Sequence, residues 1–384
     1  MDKIFIMNLG TTSFKFKLFE GDAVIASGEI ESVGASKSRY AFSFGTSGEA
    51  AIPDHGAGFD FCMKALQKAG ILENMGQVSA VGYKAVHGGN LSGTRIVDEA
   101  LMAEMERVTP LAPAHNPIYL NAMRAIRAQY PALLQVARFE TSFHATIPDY
   151  RTAYAVPYRW REELGIRRYG FHGSSHEYIA GKIQELQPSA RRVISCHLGG
   201  SSSLCAILDG KSVATSMGAT LQSGLPQNNR VGDFEPCCLP LLTEALGCST
   251  EEVLKTLSSG SGLLGMSGVS NDLRLVMEAA EQGNSRAKLA VDVFVDNLVG
   301  YIGMFTAYLE GLDALVFTGG IGTNSDVIRR RVCEKFGYLN LHLDPEKNKG
   351  NADGCISADG SAVSVWRLRT NEELIVARNV RKLL

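Results

Sequence analysis

The chain lacks most of the features that would place it in a special class. It has eight cysteines but neither a CxxC pair nor zinc-type spacing. Cys237 and Cys238 are adjacent, which suits neither a metal clamp nor an easy disulfide. The thiols are therefore read as reduced and mostly core-filling, and the protein as cytoplasmic. There is no basic stripe, and the net charge is −2, which argues against nucleic acid as the main partner. Met1-Asp2-Lys3 leads straight into a short apolar strand with no signal-peptide pattern, and no apolar stretch is read as reaching the roughly 18 residues a membrane span needs. No membrane partner is expected. Low-complexity tracts, charge blocks and an HExxH motif are missing too. What remains is ordinary globular composition, 45% hydrophobic and 20% charged, in 384 residues, a length that suits about two domains.

The most informative feature present is a repeat. Residues 4–24 and 193–213 read as two copies of one hairpin: a strand, a Gly/Ser/Thr turn, a second strand, an acidic-Gly turn and a third strand. One constant offset pairs Leu9 with Leu198, Gly10 with Gly199, Ser13 with Ser202, Glu20 with Asp209 and Gly21 with Gly210. Small turn residues let backbone N–H groups and hydroxyls approach an anion closely, forming a nest for phosphate oxygens. Hydroxyl-rich hairpins also occur without any ligand. Their duplication in one chain points to two related domains, each with a phosphate loop.

Beyond the first hairpin, Ser36–Gly48 reads as a polar surface excursion. Helical periodicity follows at Phe59–Ala69, a buried strand at Val78–Val86, helices at Glu99–Val108 and Tyr119–Gln129, and a strand at Leu134–Phe139. Irregular sequence near residue 150 marks the crossing between domains. The second half repeats the order: a loop over Thr215–Pro236, helices at 250–258, 271–282 and about 284–310, strand Leu315–Thr318, helix Ser325–Phe336, strand Val363–Arg367 and a last helix. Strands followed by alternating helices and strands give an α/β class with mixed sheets. Several polar motifs follow strands directly, where open α/β sheets place ligands.

Among these motifs, Gly319-Gly320-Ile321-Gly322 can present backbone amides to phosphate, or serve as a tight turn needed only for geometry. Six histidines (87, 115, 144, 172, 176, 197) sit in loop contexts, where such residues are more often scaffold than catalyst. Cations available for an anion are Lys84, Arg230 and Arg274, with Lys15 and Lys17 further out. Carboxylates in suggestive loops are Glu140, Asp233, Glu235, Asp272, Glu372 and Glu373. Mg²⁺-dependent phosphoryl transfer needs an acidic metal anchor, cations on the transferred group and an in-line acceptor. This inventory suffices for it.

Taken together, Asn8-Leu-Gly-Thr-Thr-Ser13-Phe-Lys15, Val86-His-Gly-Gly89, His115-Asn-Pro117, Tyr169-Gly-Phe-His172-Gly-Ser-Ser-His176, Cys196-His-Leu-Gly199, Thr215-Ser-Met-Gly218, Ser267-Gly-Val-Ser-Asn-Asp-Leu-Arg274, Phe317-Thr-Gly-Gly-Ile-Gly322 and Thr370-Asn-Glu-Glu-Leu374 resemble the acetate kinase family over nearly the whole chain. The resemblance implies two duplicated ribonuclease-H-like domains of the actin-like ATPase type around a cleft. These would be residues 1–150, completed by helix 372–384, and a nucleotide-binding domain over 151–371. It also implies a homodimer and Mg·ATP-dependent phosphorylation of a short-chain carboxylate. By position, Asn8, Ser13 and Lys15 would lie at the phosphate end, with Glu372 and Asn8 near Mg²⁺. Glu140, Arg230 and His172 would be catalytic, with His115 and His197 in support. Gly199, Asp272, Leu273, Arg274, Gly320, Gly322 and Asn324 would hold the nucleotide together with His197. Lys84, Val86, Phe171, Ala114 and Leu221 would receive the acid.

Several positions depart from the family pattern. The usual substrate-binding arginine is Lys84, a point charge in place of a planar bidentate fork. The catalytic Phe-Asp-Thr is Phe139-Glu140-Thr141, one methylene longer. The Gly-Asn-Gly-Ser-Ser turn is Gly199-Gly200-Ser201-Ser202-Ser203, which loses the asparagine, and Gly-Ile-Gly-Glu-Asn ends in Thr323-Asn324. Pocket-lining Leu and Pro positions are Ala114 and Leu221. The expected activity is an acyl kinase working in either direction. The alternatives are a kinase of the same fold whose acceptor is a larger or hydroxylated acid or a hydroxyl group, and a catalytically weakened nucleotide-binding regulatory protein.

Overall fold

The computed structural model describes residues 2–384. Contacts divide it into two units, one running to Ala145 and including Asn371–Leu384, the other Thr146–Thr370.

In the first unit, eight strands form one sheet: β1 (Lys3–Leu9), β2 (Ser13–Glu20), β3 (Ala23–Glu31), β4 (Ser38–Phe42), β5 (Ser47–Ala50), β6 (Val78–Ala85), β7 (Thr94–Ile96) and β8 (Leu134–Phe139), in the order β5-β4-β3-β2-β1-β6-β8-β7. β1, β2 and β3 are antiparallel neighbours, whereas β1, β6 and β8 run parallel. On β2, Phe14, Phe16 and Leu18 point into the core and alternate with Lys15 and Lys17, the period-two pattern of a strand with one covered face. Phe5 stacks on Phe16 with ring centroids 4.9 Å apart and meets Phe59 edge-on at 5.3 Å. That face is covered by helices His55–Lys68 and Asn116–Gln129. The opposite face of β1, β6 and β8 takes helix Glu372–Arg381. Gly82 makes this approach possible: a Cβ there would lie 2.9 Å from Val380 and 2.5 Å from Ile6. Covered on both sides, β1 reads as a nearly unbroken apolar run.

The polar excursion expected at Ser36–Gly48 is instead the β4–β5 hairpin, which extends the sheet beyond β3. Tyr40 and Phe42 alternate across a polar background and pack on Phe61 and Phe16. The polar residues between them hid a strand period.

The second unit holds β9 (Arg192–Leu198), β10 (Ser202–Leu208), β11 (Lys211–Thr215), β12 (Ala314–Thr318), β13 (Gly354–Cys355) and β14 (Ser364–Arg367), in the order β11-β10-β9-β12-β14-β13. β9–β11 are antiparallel, and β9, β12 and β14 are parallel. The sequence β11-β10-β9-β12-β14 thus reproduces β3-β2-β1-β6-β8, and the α/β duplication with mixed sheets is present. Helix Ser285–Tyr308 is long and apolar enough to cross a membrane by length and composition, contrary to the expectation that no stretch is. Its Ala287, Val291, Phe294, Leu298, Ile302 and Phe305 recur at helical spacing and lie in the core with Ile194 and Leu204. Its apolar character is that of a core helix. No disulfide joins any of the eight cysteines. Four are buried, and Cys237, Cys238, Cys248 and Cys355 reach the surface, so core filling accounts for half of them.

Candidate active site

The first unit gathers charge at the carboxyl ends of its parallel strands, where open sheets place ligands. Lys84 lies near the end of β6, Glu140 directly after β8 and Asn8 near the end of β1. The Glu140 backbone N–H donates to the Ala85 carbonyl at 2.8 Å, which ties the two strand ends together. Helix Glu372–Arg381 begins beside them. The Lys84 ammonium pairs with the Glu372 carboxylate, the two side chains being only 14% and 11% exposed. Burial works against the Lys84 charge, but Glu372, Glu140 and Glu373 overcome it and hold the ammonium above its ordinary pKa. Glu373 accepts from Asn8 Nδ2 at 3.2 Å and from Lys17 Nζ at 3.0 Å. Burial pushes its pKa up, yet Lys84 and Lys17 pull harder and leave it lowered. Tyr119 accepts from the Leu9 N–H at 3.0 Å, closing the end of β1 onto helix Asn116–Gln129.

Of the two β2 lysines, Lys17 joins this cluster, and it also reaches Asn371 Oδ1 at 3.4 Å. Lys15 faces Glu29 across the β2–β3 ladder at 3.2 Å with more than half its side chain exposed. The turn itself is shut by the Gly10 N–H donating to the Ser13 carbonyl at 2.9 Å. His55 Nε2 donates to the carbonyls of Gly10 and Ser13 at 3.0 and 3.2 Å. Sequence reasoning did not reach His55; it follows the helix-capping Asp54, and nothing local connects it to a turn more than 40 residues earlier. Val86 is half-buried and Ala114 exposed. His115 stands at the start of helix Asn116–Gln129. Behind it the buried Asn116 Nδ2 donates to the carbonyls of His87 and Met105, both at 2.9 Å, fastening the His87-Gly-Gly loop.

The second unit builds its strand ends from imidazoles, hydroxyls and glycines. His172, at the entrance to helix Gly173–Leu186, has a left-handed backbone with φ of 56°. This is an uncommon conformation for a residue with a Cβ. Its Nδ1 hydrogen-bonds with Ser203 Oγ at 2.8 Å, and its ring stacks on His197 at 4.3 Å. The fully buried His176 hydrogen-bonds with the same Ser203 Oγ through Nε2 and with Ser195 Oγ through Nδ1, both at 2.9 Å. Ser203 therefore links the two histidines, and because its hydroxyl carries a single proton at least one of them must donate to it. His197 Nδ1 meets Ser175 Oγ at 2.8 Å.

Arg230 points at the turn between β9 and β10. Its Nη1 donates to Ser201 Oγ at 3.1 Å and to Gln227 Oε1 at 3.2 Å, and Ser201 Oγ donates to the same Gln227 oxygen at 2.7 Å. Burial lowers the guanidinium's pKa from its high ordinary value, and the group stays charged. Phe171 is buried beside His172, whereas Leu221 is half-buried and its carbonyl accepts from Gln227 Nε2 at 2.8 Å.

Next to this lies a cavity of about 740 Å³, within the range of small-molecule sites. Gly199, Asp272, Leu273, Arg274, Gly320 and Asn324 all line it, and so do Gly200 and Asn228. Asp272 caps helix Leu273–Glu281 and grips Arg274 Nε at 3.0 Å, a hydrogen bond that holds the carboxyl below its usual pKa. Gly319 has φ of 76°, and a Cβ there would lie 2.5 Å from the Leu198 carbonyl oxygen. Only glycine lets β12 leave the sheet so close to β9. The glycine-rich stretch is not a bare turn: Gly319–Asn324 winds into a short helix, and Gly322 is buried inside it, accepting from Arg329 Nη1 at 2.8 Å.

Among the described residues, no cluster of three or more His, Cys, Asp or Glu has chelating geometry. Mg²⁺ characteristically takes one or two carboxylates and completes its shell with water and phosphate oxygens. The carboxylate of Glu372 and the amide oxygen of Asn8 are hard donors of that kind, so the donor set fits.

Residues 3–378 match the profile of the Acetokinase family. The acetate kinase of Geobacillus kaustophilus is 38% identical over 395 aligned residues, covering 100% of this chain and 99% of its own. Among solved structures, Porphyromonas gingivalis acetate kinase superposes with a TM-score of 0.91 at 34% identity, covering 100% of both chains. A propionate kinase from Francisella tularensis does so with 0.91 at 33%, covering 99% of each.

Proposed function

Because the chain belongs to the acetokinase family, we propose that it transfers the terminal phosphoryl group of ATP to a short-chain carboxylic acid, forming an acyl phosphate, and runs the reverse reaction. It is a phosphotransferase with a carboxyl acceptor. The observation that carries the reading is that the family's nucleotide motifs, distant in sequence, line one cavity beside Arg230.

Phosphoryl transfer asks little covalent chemistry of a protein and a great deal of charge placement. Arg230, preset by Ser201 and Gln227, stabilises the equatorial oxygens as negative charge spreads over them. His172, its Nδ1 engaged by Ser203, presents Nε2 to the same group. Glu140 orients the acceptor oxygen, and Lys84 holds the acid's charge. Glu372 and Asn8 would hold Mg²⁺, which when bound neutralises part of the phosphate charge. By the family pattern Val86, Phe171, Ala114 and Leu221 would receive the acid's alkyl end, and a homodimer is the expected assembly.

One observation favours a second reading in which the acceptor is not acetate. Lys84 is already paired with Glu372, so its ammonium offers an acid fewer donors than a free arginine fork would. The deciding experiment is a screen of small acids and alcohols with Mg·ATP in the presence of hydroxylamine, which traps acyl phosphates and not phosphate esters. Hydroxamate from acetate or propionate supports the first reading. ADP release from an alcohol without hydroxamate supports another acceptor, and nucleotide binding without turnover of any compound would make the chain a regulatory protein.

A further inference from the structure

Gly200 occupies the position at which the family's turn carries asparagine, yet an amide is present at that place. A Cβ built on Gly200 would touch Asn228 Nδ2 at 3.5 Å, and both residues line the 740 Å³ cavity together with Gly199. Asn228 sits in a loop whose backbone is firmly tied down. Its carbonyl accepts from the Leu264 N–H at 2.9 Å, the Gln227 carbonyl from Leu263 at 2.9 Å and the Asn229 carbonyl from Ser261 at 3.0 Å. The neighbouring Gln227 side chain spends its amide on Ser201, Arg230 and Leu221. The Asn228 amide is not spent in this way, and its Oδ1 is buried without a hydrogen-bond partner among the described residues. A rigid loop thus carries one uncommitted amide to the mouth of the turn, next to the turn residue that has no side chain.

We propose that Asn228 is a nucleotide-binding residue of this chain, its side-chain N–H donating to the terminal phosphate oxygens in place of the side chain that Gly200 lacks. The amide has moved from one loop to the facing one, and the space it serves is the same. The inference rests on the reading that the nucleotide's phosphates lie at Gly199–Gly200.

The test compares the wild-type enzyme with Asn228→Ala, Asn228→Asp, Gly200→Asn and the exchange Gly200→Asn/Asn228→Gly. Dissociation constants are read by calorimetry for ADP and AMP, and KM for ATP in the hydroxamate assay. Loss of a hydrogen bond to a charged group makes N228A bind ADP and ATP about tenfold more weakly. AMP, which lacks the terminal phosphates, should change less than about twofold on the same grounds. N228D, with a carboxylate facing phosphate, is weaker still. Gly200→Asn alone crowds the amide and is impaired, whereas the exchange variant returns toward wild type. Unchanged ADP affinity in N228A, or an equal loss for AMP, would overturn the assignment. So would an exchange variant no better than Gly200→Asn alone. Should the wild type form no acyl phosphate, the kinase reading fails, while the ADP and AMP affinities still decide the role of Asn228.

Discussion

The two units use one strand order for opposite purposes. At the ends of β1, β6 and β8 the first unit places a tight group of full charges: Lys17, Lys84, Glu140, Glu372 and Glu373. At the ends of β9, β12 and β14 the second places hydroxyls, imidazoles and glycines, among them Ser201, Ser203, His172, His197, Gly199 and Gly320, with Arg230 as the cation at the turn. Even the hairpins close differently. Asp209 and Gly210 are both left-handed, as in a type I′ turn, while Gly21 alone is left-handed in the first hairpin, where Glu20 still pairs with Ala23. Duplication preserved the frame and released the strand ends to diverge. The polar, partly buried end suits ions, and the glycine-lined end suits a ligand that must come close to the backbone.

This contrast can be broken most sharply at Arg230. In the proposed function the transferred group depends on it, and among the described residues no second guanidinium shares its hydrogen bonds, so Arg230→Ala should lower the hydroxamate-forming rate by roughly 10²–10³-fold. Arg230→Lys should regain only part of that. An effect below about tenfold would overturn the role proposed for Arg230. In the first unit the cost falls on stability instead. Lys84→Ala removes the cation shared by Glu372, Glu140 and Glu373 and should destabilise by about 3 kcal/mol in denaturant titration. Its sign with pH is fixed. The raised Lys84 pKa means that the wild-type contribution is intact below the lysine's ordinary pKa and lost only as pH rises through the folded value. Glu373, lowered, contributes above its ordinary pKa and loses that contribution as pH falls through the folded value. The variant's deficit should therefore shrink on acidification toward about pH 4–5, as the carboxylates that lost the Lys84 charge take up protons.

A third experiment sharpens the comparison at the acceptor. Lys84→Arg with Glu140→Asp should shift kcat/KM toward acetate over larger acids by about 1–3 kcal/mol, on the order of tenfold. Unchanged selectivity would show that these two residues do not set acid choice. In the second unit, Ser203→Ala uncouples His172 from His176 and should cost about fivefold in kcat, one neutral hydrogen bond's worth, with an altered pH–rate profile. Smallest of all is Lys15→Ala. Its surface pair with Glu29 is worth no more than about 0.5 kcal/mol, and activity should stay within about twofold of wild type.

How far these features were legible in the sequence depended on whether their cause was local. β1, β6, β8 and β12 could be read because buried parallel strands leave unbroken apolar runs, and helix Ser285–Tyr308 because its apolar residues keep helical spacing. The β4–β5 hairpin escaped because two aromatic residues carry it against a polar background. At the site, the turns and Arg230 announce themselves by composition. Two residues do not. His55 and Gln227 act through partners 42 and 26 positions away, and Gln227, wholly buried, looks in sequence like any polar loop residue. Spacing carries no trace of a contact made by folding.

Helix Glu372–Arg381 belongs to the first unit although every residue of the second precedes it in the chain. During translation, then, Lys84 emerges from the ribosome long before the carboxylate that will pair with it. The groove over Gly82 stays uncovered while Thr146–Thr370 is being made. The second unit can settle first. The ionic cluster closes only when the late helix docks, so a half-made polypeptide carries the Lys84 ammonium without the carboxylate that pairs with it.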